Sequence, residues 1–326
     1  MLAEIGQNID KSKEILQSNG LVAIPTETVY GLAANGFNQT AVARIFEAKN
    51  RPFFDPLILH ISNKKILEKI VLNIPENAQK LMDYFWPGPL TFVLQKSANV
   101  PDLVTAGHNT VAVRMPKHTL TLSLLDQIDF PLAAPSANPF GYVSPTTAQH
   151  VFNQLGTKIP YILDGGSCSV GLESTIISFE DELNPKILRL GGVSQEDIEL
   201  HIGPIECNIN QNSNPQAPGQ LDQHYSPFCR LHQLNTIKLN HLFNPKILFF
   251  SPQTEKVYWQ NNLEIEHQSI YLSNSHSLLE AASNLFSILR DFDEHEYSDV
   301  YIEMAPNEGI GKAINDRLTR AMAKRH

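Results

Sequence analysis

Two cations stand two residues apart in AKNRPFFDPLILHI, residues 48–61. Alternate residues of an extended chain share a face, so Lys49 and Arg51 can converge on one anion if the backbone is extended there. Pro52 favours that geometry by disfavouring helix at the residue before it. A polyphosphate suits the pair, because arginine chelates oxygens bidentately while lysine acts as a point charge. The alternative is that both cations merely complement the carboxyl end of a helix.

Further candidates lie at the ends of apolar runs. IPTETVYGLA places Thr26, Glu27, Thr28 and Tyr30 directly after LVAIP, a buried strand, at the edge where open α/β sheets commonly bind ligands. Their hydroxyls could hold a small polar substrate, or Thr26 could simply cap a turn. In APSANPFGYVSP, Ser136 and Asn138 follow a strand, and Ser144 reads as a helix N-cap with Pro145 at the first helical position. Hydroxyls beside a helix start make a phosphate seat, though turn residues are common in any loop. GLESTIIS and LRLGG add Ser174 and Arg189 at strand ends.

Other signals fail. GIGK at 309–312 is preceded by Pro306 where a P-loop needs glycine, and Ala313 replaces the Ser or Thr, so it reads as a helix start. In GGSCSVG, Ser169 occupies the last glycine position of a nucleophile elbow. No HExxH or GxGxxG occurs, and His295 reads as a solvated surface residue. Hydride transfer and zinc hydrolysis lose support.

The elements that must position these residues alternate along the chain. A helix over about 3–18 ends at Asn19-Gly20. After LVAIP come the helix TAVARIFEAKN, the strand LILHI, the helix ENAQKLMDYFW and the strands LTFVLQ and TVAVRMP. The strands PLAAP, YILDGG, STIISF and KILRL follow, and Ser194 caps QEDIELHI. From about Gly203 to Cys229 the text is rich in Asn, Gln, Pro and Gly without periodicity and reads as a linker. Beyond it, KILFFS, SIYLS, a long helix through HSLLEAASNLFSILRDF, DVYIEM and KAINDRLTRAMAKR make a small Rossmann-like α/β unit.

A chain of 326 residues exceeds one ordinary core, so two domains are expected: 1–205 and 233–326, with 206–232 between them. A formal net charge of −9 argues against a protein that coats nucleic acid. Cys168, Cys207 and Cys229 form no C-x-x-C pair and leave an odd count, which points to a reducing cytoplasm. The opening residues lack a signal peptide's apolar stretch, and no run of about 18 apolar residues occurs, so neither export nor membrane spanning is expected.

Taken in order, PTETVYGL, AKNRP with PLILHI, TVAVRMP, PSAN, GLESTII and LRLGG resemble the YrdC domain of threonylcarbamoyl-AMP synthases over roughly residues 5–200. APGQLDQHYSP and GIGKAINDRLTRA resemble the longer two-domain Sua-type members. The resemblance implies an α/β fold: a YrdC-like twisted, mixed, open sheet with flanking helices, plus the smaller Rossmann-like domain. It implies a nucleotidyltransferase that joins L-threonine, bicarbonate and ATP into threonylcarbamoyl-adenylate and pyrophosphate. Magnesium would ride on the ATP phosphates without a protein metal site. The product would serve N6-threonylcarbamoyladenosine formation on tRNA by a partner transferase complex.

Carried over by motif, Thr28, His60, Arg114, Ser136 and Ser174 match positions around threonine. Arg51, Thr110, Asn138, Ser144, Arg189 and Tyr225 match positions around ATP, and Lys49 joins them. Lys49 and Arg51 are the expected catalytic cations. Asp55 stands where the resemblance leads one to expect asparagine; its charge should weaken triphosphate binding unless magnesium or Lys49 offsets it. The linker QLDQHYSP is expected to cross the nucleotide site, with Tyr225 covering it. The rival readings are a double-stranded RNA or tRNA-binding factor without this activity, and a carbamoyl-handling maturation enzyme, whose zinc-finger and acylphosphatase modules are not visible here. Weak contact with tRNA or double-stranded RNA is compatible with either main reading.

Overall fold

The computed structural model describes residues 2–209, 225–236 and 242–323. Its strands fall into two sheets. The first holds β1 (Glu4–Gly6), β2 (Val22–Ile24), β3 (Gly31–Asn35), β4 (Ile58–His60), β5 (Leu90–Gln95), β6 (Thr110–Arg114), β7 (Leu132–Ala133), β8 (Tyr161–Leu163), β9 (Thr175–Ser178), β10 (Lys186–Arg189) and β11 (Glu206–Cys207). Their spatial order is β1-β8-β2-β3-β7-β4-β6-β5-β9-β10-β11. Parallel neighbours such as β4 and β6 alternate with antiparallel ones such as β5 and β6, so the sheet is mixed, as expected. The second holds β12 (Arg230–Gln233), β13 (Lys246–Phe249), β14 (Gln268–Tyr271) and β15 (Asp299–Ile302) in the order β12-β15-β13-β14, all parallel.

Most expected elements are present, and the differences have local causes. The first helix covers Ile9–Gln17 rather than 3–18. Asn8 caps it by accepting from the Lys11 N–H, which leaves Glu4–Gly6 free to pair with β8 as a strand. Short helices at Lys64–Ile70, Asp102–Thr105 and Thr119–Leu125, the helix Pro252–Asn261 and strand β12 were not anticipated. Pairing of 206–207 with β10 and of 230–233 with β15 shifts both borders of the expected linker by a few residues. Within that linker, residues 210–224 lie outside the described residues.

The helix Leu278–Glu294 joins the two units. Its Arg290 donates to the carbonyls of Val143 and Ser144, and its Asp293 accepts from the Tyr142 hydroxyl at 2.6 Å. Its backbone also lies against Gly171, where a Cβ would stand 2.4 Å from Ser283 Cα and where φ is +72°. Only glycine meets both demands there. One apolar cluster runs through both units, from Leu32 and Phe92 to Leu285 and Ile314. Among the described residues no helix is long and apolar enough to cross a membrane. Cys168, Cys207 and Cys229 are free thiols.

Candidate active site

A cleft of about 540 Å³, its open mouth included, lies over one face of the large sheet. Strand alternation turns Ile58 and His60 of β4 to the same side, and both line it. Ile58 also packs with Val93, Ala112, Ile176 and Leu188 as a small apolar patch on that face. Thus the loop after β2 contributes as expected, but the sheet face itself supplies the floor. Thr26, Thr28, Arg51, Arg114, Ser136, Glu173, Ser174, Arg189 and Tyr225 complete the polar lining.

The threonine-side candidates come together. Arg114, at the end of β6, donates to the Thr28 hydroxyl at 2.9 Å and to the Gly88 carbonyl at 3.1 Å, and pairs with Glu27 at 2.7 Å. Glu27 is therefore the counter-charge that lets a guanidinium sit buried in this position. Thr28 and Thr26 share a hydrogen bond of 2.8 Å. Ser174 lies 2.7 Å from the Thr91 hydroxyl and accepts from Arg189 at 3.1 Å. Arg189 also forks onto the Ser174 carbonyl at 3.1 and 2.9 Å, and burial pushes its pKa down to about 10, which leaves it charged at neutral pH.

His60 is buried with its Nδ1 unpaired inside the protein. Burial first, then Arg114, holds its pKa down from 6.5 to about 3, so it is neutral and able to accept a hydrogen bond. A depressed folded pKa means stability that is present above pH 6.5 and lost as pH falls towards 3. Each unit of acidification in that window costs up to about 1.4 kcal/mol for such a group. His150, depressed to about 4 chiefly by burial, adds to the slope. Urea unfolding at pH 6.5 and 4.5 is expected to show a smaller loss in His60→Gln than in the wild type; equal losses would remove the buried neutral histidine.

The nucleotide-side candidates divide. Arg51 lines the cleft, holds the carbonyls of Asp55 and Pro56 at 3.2 and 2.9 Å, and pairs with the fully buried Asp55 carboxylate at 2.8 Å. Burial pushes the Asp55 carboxyl up while Arg51, Lys49 and Arg189 pull against it. The charge expected to trouble a triphosphate is thus met first by Arg51 and not by Lys49. Lys49 itself departs from expectation. Asn50 caps the helix Gln39–Lys49 in the left-handed region (φ 52°), so the chain turns instead of extending between the two cations. The Lys49 ammonium donates to the carbonyls of Ser136 and Asn138 and is not among the lining groups. Burial, with Arg51 adding to it, lowers its pKa well below the usual range.

Asn138 donates to the carbonyls of Pro139 and Tyr142. Thr110 opens β6, stands opposite Gln95 of β5 and is not among the lining groups. Ser144 is not a helix cap. The helix covers Ala148–Leu155 and is capped by Thr147, while the Pro145 carbonyl accepts from the Tyr30 N–H and is thereby engaged outside the helix. Ser144 donates instead to Glu173 at 2.7 Å. Tyr225 is fully buried over the cleft, stacked on Phe286 at 5.3 Å, and burial pushes its pKa up to about 12.

Glu173 and Arg317 were missed by sequence reasoning. Arg317, from the helix Gly311–Met322, donates to Glu173 at 3.0 Å and to the Leu190 carbonyl at 2.7 Å, and its guanidinium lies 5.1 Å from the Tyr225 ring centroid. The Glu173 backbone also explains the first glycine of LRLGG: a Cβ on Gly191 would lie 2.2 Å from the Glu173 carbonyl oxygen. Among the described residues no group of three or more His, Cys, Asp or Glu could hold a metal. Glu27, Asp55 and Glu173 each pair with an arginine.

Comparison with known proteins decides the family. Residues 14–191 match a family model described as "Telomere recombination", and residues 193–323 match "Threonylcarbamoyl-AMP synthase, C-terminal domain". A threonylcarbamoyl-AMP synthase of Bacillus subtilis is 38% identical, covering 97% of this chain and 93% of its own. The chain belongs to the threonylcarbamoyl-AMP synthase family. Another member, from Pyrococcus abyssi, is 39% identical over 95% of this chain and 92% of its own. A crystal structure of P. abyssi Sua5 complexed with L-threonine matches with a TM-score of 0.85 at 35% identity, covering 99% of this chain and 97% of that one. E. coli YciO, 21% identical with a TM-score of 0.53 over 58% of this chain, shares the fold of the synthase's larger unit.

Proposed function

We infer that this chain is an enzyme that condenses L-threonine, bicarbonate and ATP into threonylcarbamoyl-adenylate and pyrophosphate. The observation that carries this reading is the near full-length likeness to a threonine-bound synthase, over a cleft that gathers three arginines with the hydroxyls of Thr28, Ser136 and Ser174. The threonine amine and bicarbonate would give N-carboxy-threonine and water. Its carboxylate would attack the α-phosphorus of ATP as the bond to pyrophosphate breaks, a nucleotidyl transfer that needs no covalent enzyme intermediate.

Arg114 would take the threonine carboxylate by sharing its fork with Glu27, and Thr28 and Ser174 would offer hydroxyls to the side chain. Arg51 and Arg189 would neutralise the phosphates. Lys49, bound to the carbonyls of Ser136 and Asn138 and set back from the lining, would serve by holding the 136–138 loop in place rather than by touching a phosphate. Positioning and charge neutralisation would supply most of the acceleration. Magnesium fits best as part of the incoming MgATP, because the carboxylates nearby already serve arginines.

The product would pass to a tRNA-modifying transferase complex for N6-threonylcarbamoyladenosine formation, which fits a cytoplasmic location and free thiols. An RNA-binding factor without this activity is the weaker reading, since the net charge is −9 and the relatives carry the synthase name. Pyrophosphate release from ATP that requires threonine tests the function; release indifferent to threonine counts against it.

Tyr225 covers the cleft where a reactive adenylate would need shielding from water. Tyr225→Ala is expected to weaken nucleotide affinity and to raise the fraction of adenylate hydrolysed. Unchanged values for both would remove the covering role.

A further inference from the structure

Arg317, from the C-terminal unit, stands behind the wall of a cleft lined by the large sheet, its loops and Tyr225, and bonds the lining residue Glu173. Arg317 is among the largest fully buried side chains of the described residues, and it comes from the helix Gly311–Met322, whose bonded partners Glu173 and Leu190 lie 144 and 127 residues earlier in the chain. Burying a guanidinium so deeply is costly unless every donor direction is answered. Here Glu173, the Leu190 carbonyl and Asp316 answer three of them, and the Tyr225 ring lies 5.1 Å from the guanidinium carbon.

What Arg317 holds is functional lining. Glu173 is gripped on both oxygens, Oε2 by Arg317 at 3.0 Å and Oε1 by the Ser144 hydroxyl at 2.7 Å. Glu173 immediately precedes Ser174, whose carbonyl and hydroxyl receive Arg189. Leu190, whose carbonyl takes the other arm of Arg317, immediately follows Arg189. One guanidinium therefore braces both strand ends that carry Ser174 and Arg189, and the ring that covers them.

We propose that Arg317 is a positioning residue through which the C-terminal unit sets the nucleotide end of the cleft, fixing Glu173 against Ser144 and the Tyr225 ring beside Arg189. This rests on the synthase reading above. It gives the C-terminal unit a part in the reaction beyond bracing the fold: without Arg317 the sheet keeps its threonine-side contacts among Arg114, Thr28 and Glu27, while Arg189 and Tyr225, with Ser174 at the border of the two ends, lose their support.

The test compares the full-length wild type with Arg317→Met, Arg317→Lys and the double variant Arg317→Met/Glu173→Gln, measuring pyrophosphate release against ATP and against threonine together with urea unfolding. Arg317→Met is expected to raise KM for ATP about ten-fold or more, with a smaller rise in KM for threonine, about three-fold or less, passed on through Ser174. Arg317→Lys keeps the charge but not the forked geometry and is expected to recover part of the ATP affinity. The double variant removes the unpaired buried carboxylate, so its unfolding midpoint should return towards the wild type while KM for ATP stays raised. An ATP KM at the wild-type value in Arg317→Met, or restored along with stability in the double variant, overturns the positioning role. If neither methionine variant folds, Arg317→Lys decides by the same split between the two KM values. A wild type that releases no pyrophosphate with threonine counts against the reaction itself; an active wild type with an unchanged variant counts against Arg317 alone.

Discussion

Arg51→Ala is expected to lower ATP-dependent turnover by roughly 10- to 150-fold, the worth of one charge-assisted contact of about 1.5–3 kcal/mol. Threonine affinity should move less. The variant also strands Asp55, a fully buried carboxylate whose partner at 2.8 Å is Arg51. Breaking a buried pair from one side costs about 3–5 kcal/mol of stability. These two effects separate in the double variant Arg51→Met/Asp55→Asn, which removes both charges and keeps much of the volume. Its unfolding midpoint is expected to recover while its ATP dependence stays impaired. Wild-type kinetics at varied ATP in Arg51→Ala would show that Arg51 serves Asp55 and not a phosphate.

Arg114→Ala carries the second large effect, at the other end of the cleft. It strands Glu27, releases the Thr28 hydroxyl and vacates the donor to Gly88. KM for threonine is expected to rise about 10- to 150-fold, and KM for ATP to stay within about two-fold. Stability should fall by about 3–5 kcal/mol, and adding Glu27→Gln should return part of that without restoring threonine affinity. Equal shifts in both KM values would mean that Arg114 supports the whole cleft rather than the amino acid's carboxylate. The contrast between the two arginines is itself informative, because each has its own buried acid and each acid belongs to a different loop.

Much of this was legible in the sequence because it is local. LILHI and TVAVR read as strands, and His60 of the first meets Arg114 of the second as a register pair in the cleft wall. The Asn19-Gly20 helix stop is equally local, with Asn19 at φ 60°. What failed depended on partners far along the chain or on one backbone torsion. The spacing of Lys49 and Arg51 suggested extended chain, but Asn50 took the left-handed cap and sent the ammonium towards Ser136 and Asn138. Ser144-Pro145 has the composition of a helix start, yet the Tyr30 N–H claimed the Pro145 carbonyl and Glu173 claimed the hydroxyl. Glu173 stood in a quoted motif beside Ser174 and passed unnoticed, because its partner Arg317 is separated from it by 144 residues. The strand β1 was hidden by helix-like spacing, although Asn8 already marked where the helix must begin.

The most direct measurement is mass spectrometry of the protein incubated with ATP, L-threonine and isotope-labelled bicarbonate. The account predicts a threonylcarbamoyl-adenylate that carries the label in its carbamoyl carbon and disappears when threonine is left out. Adenylate formed without the label, or no adenylate from a protein shown to bind both ATP and threonine, would contradict it.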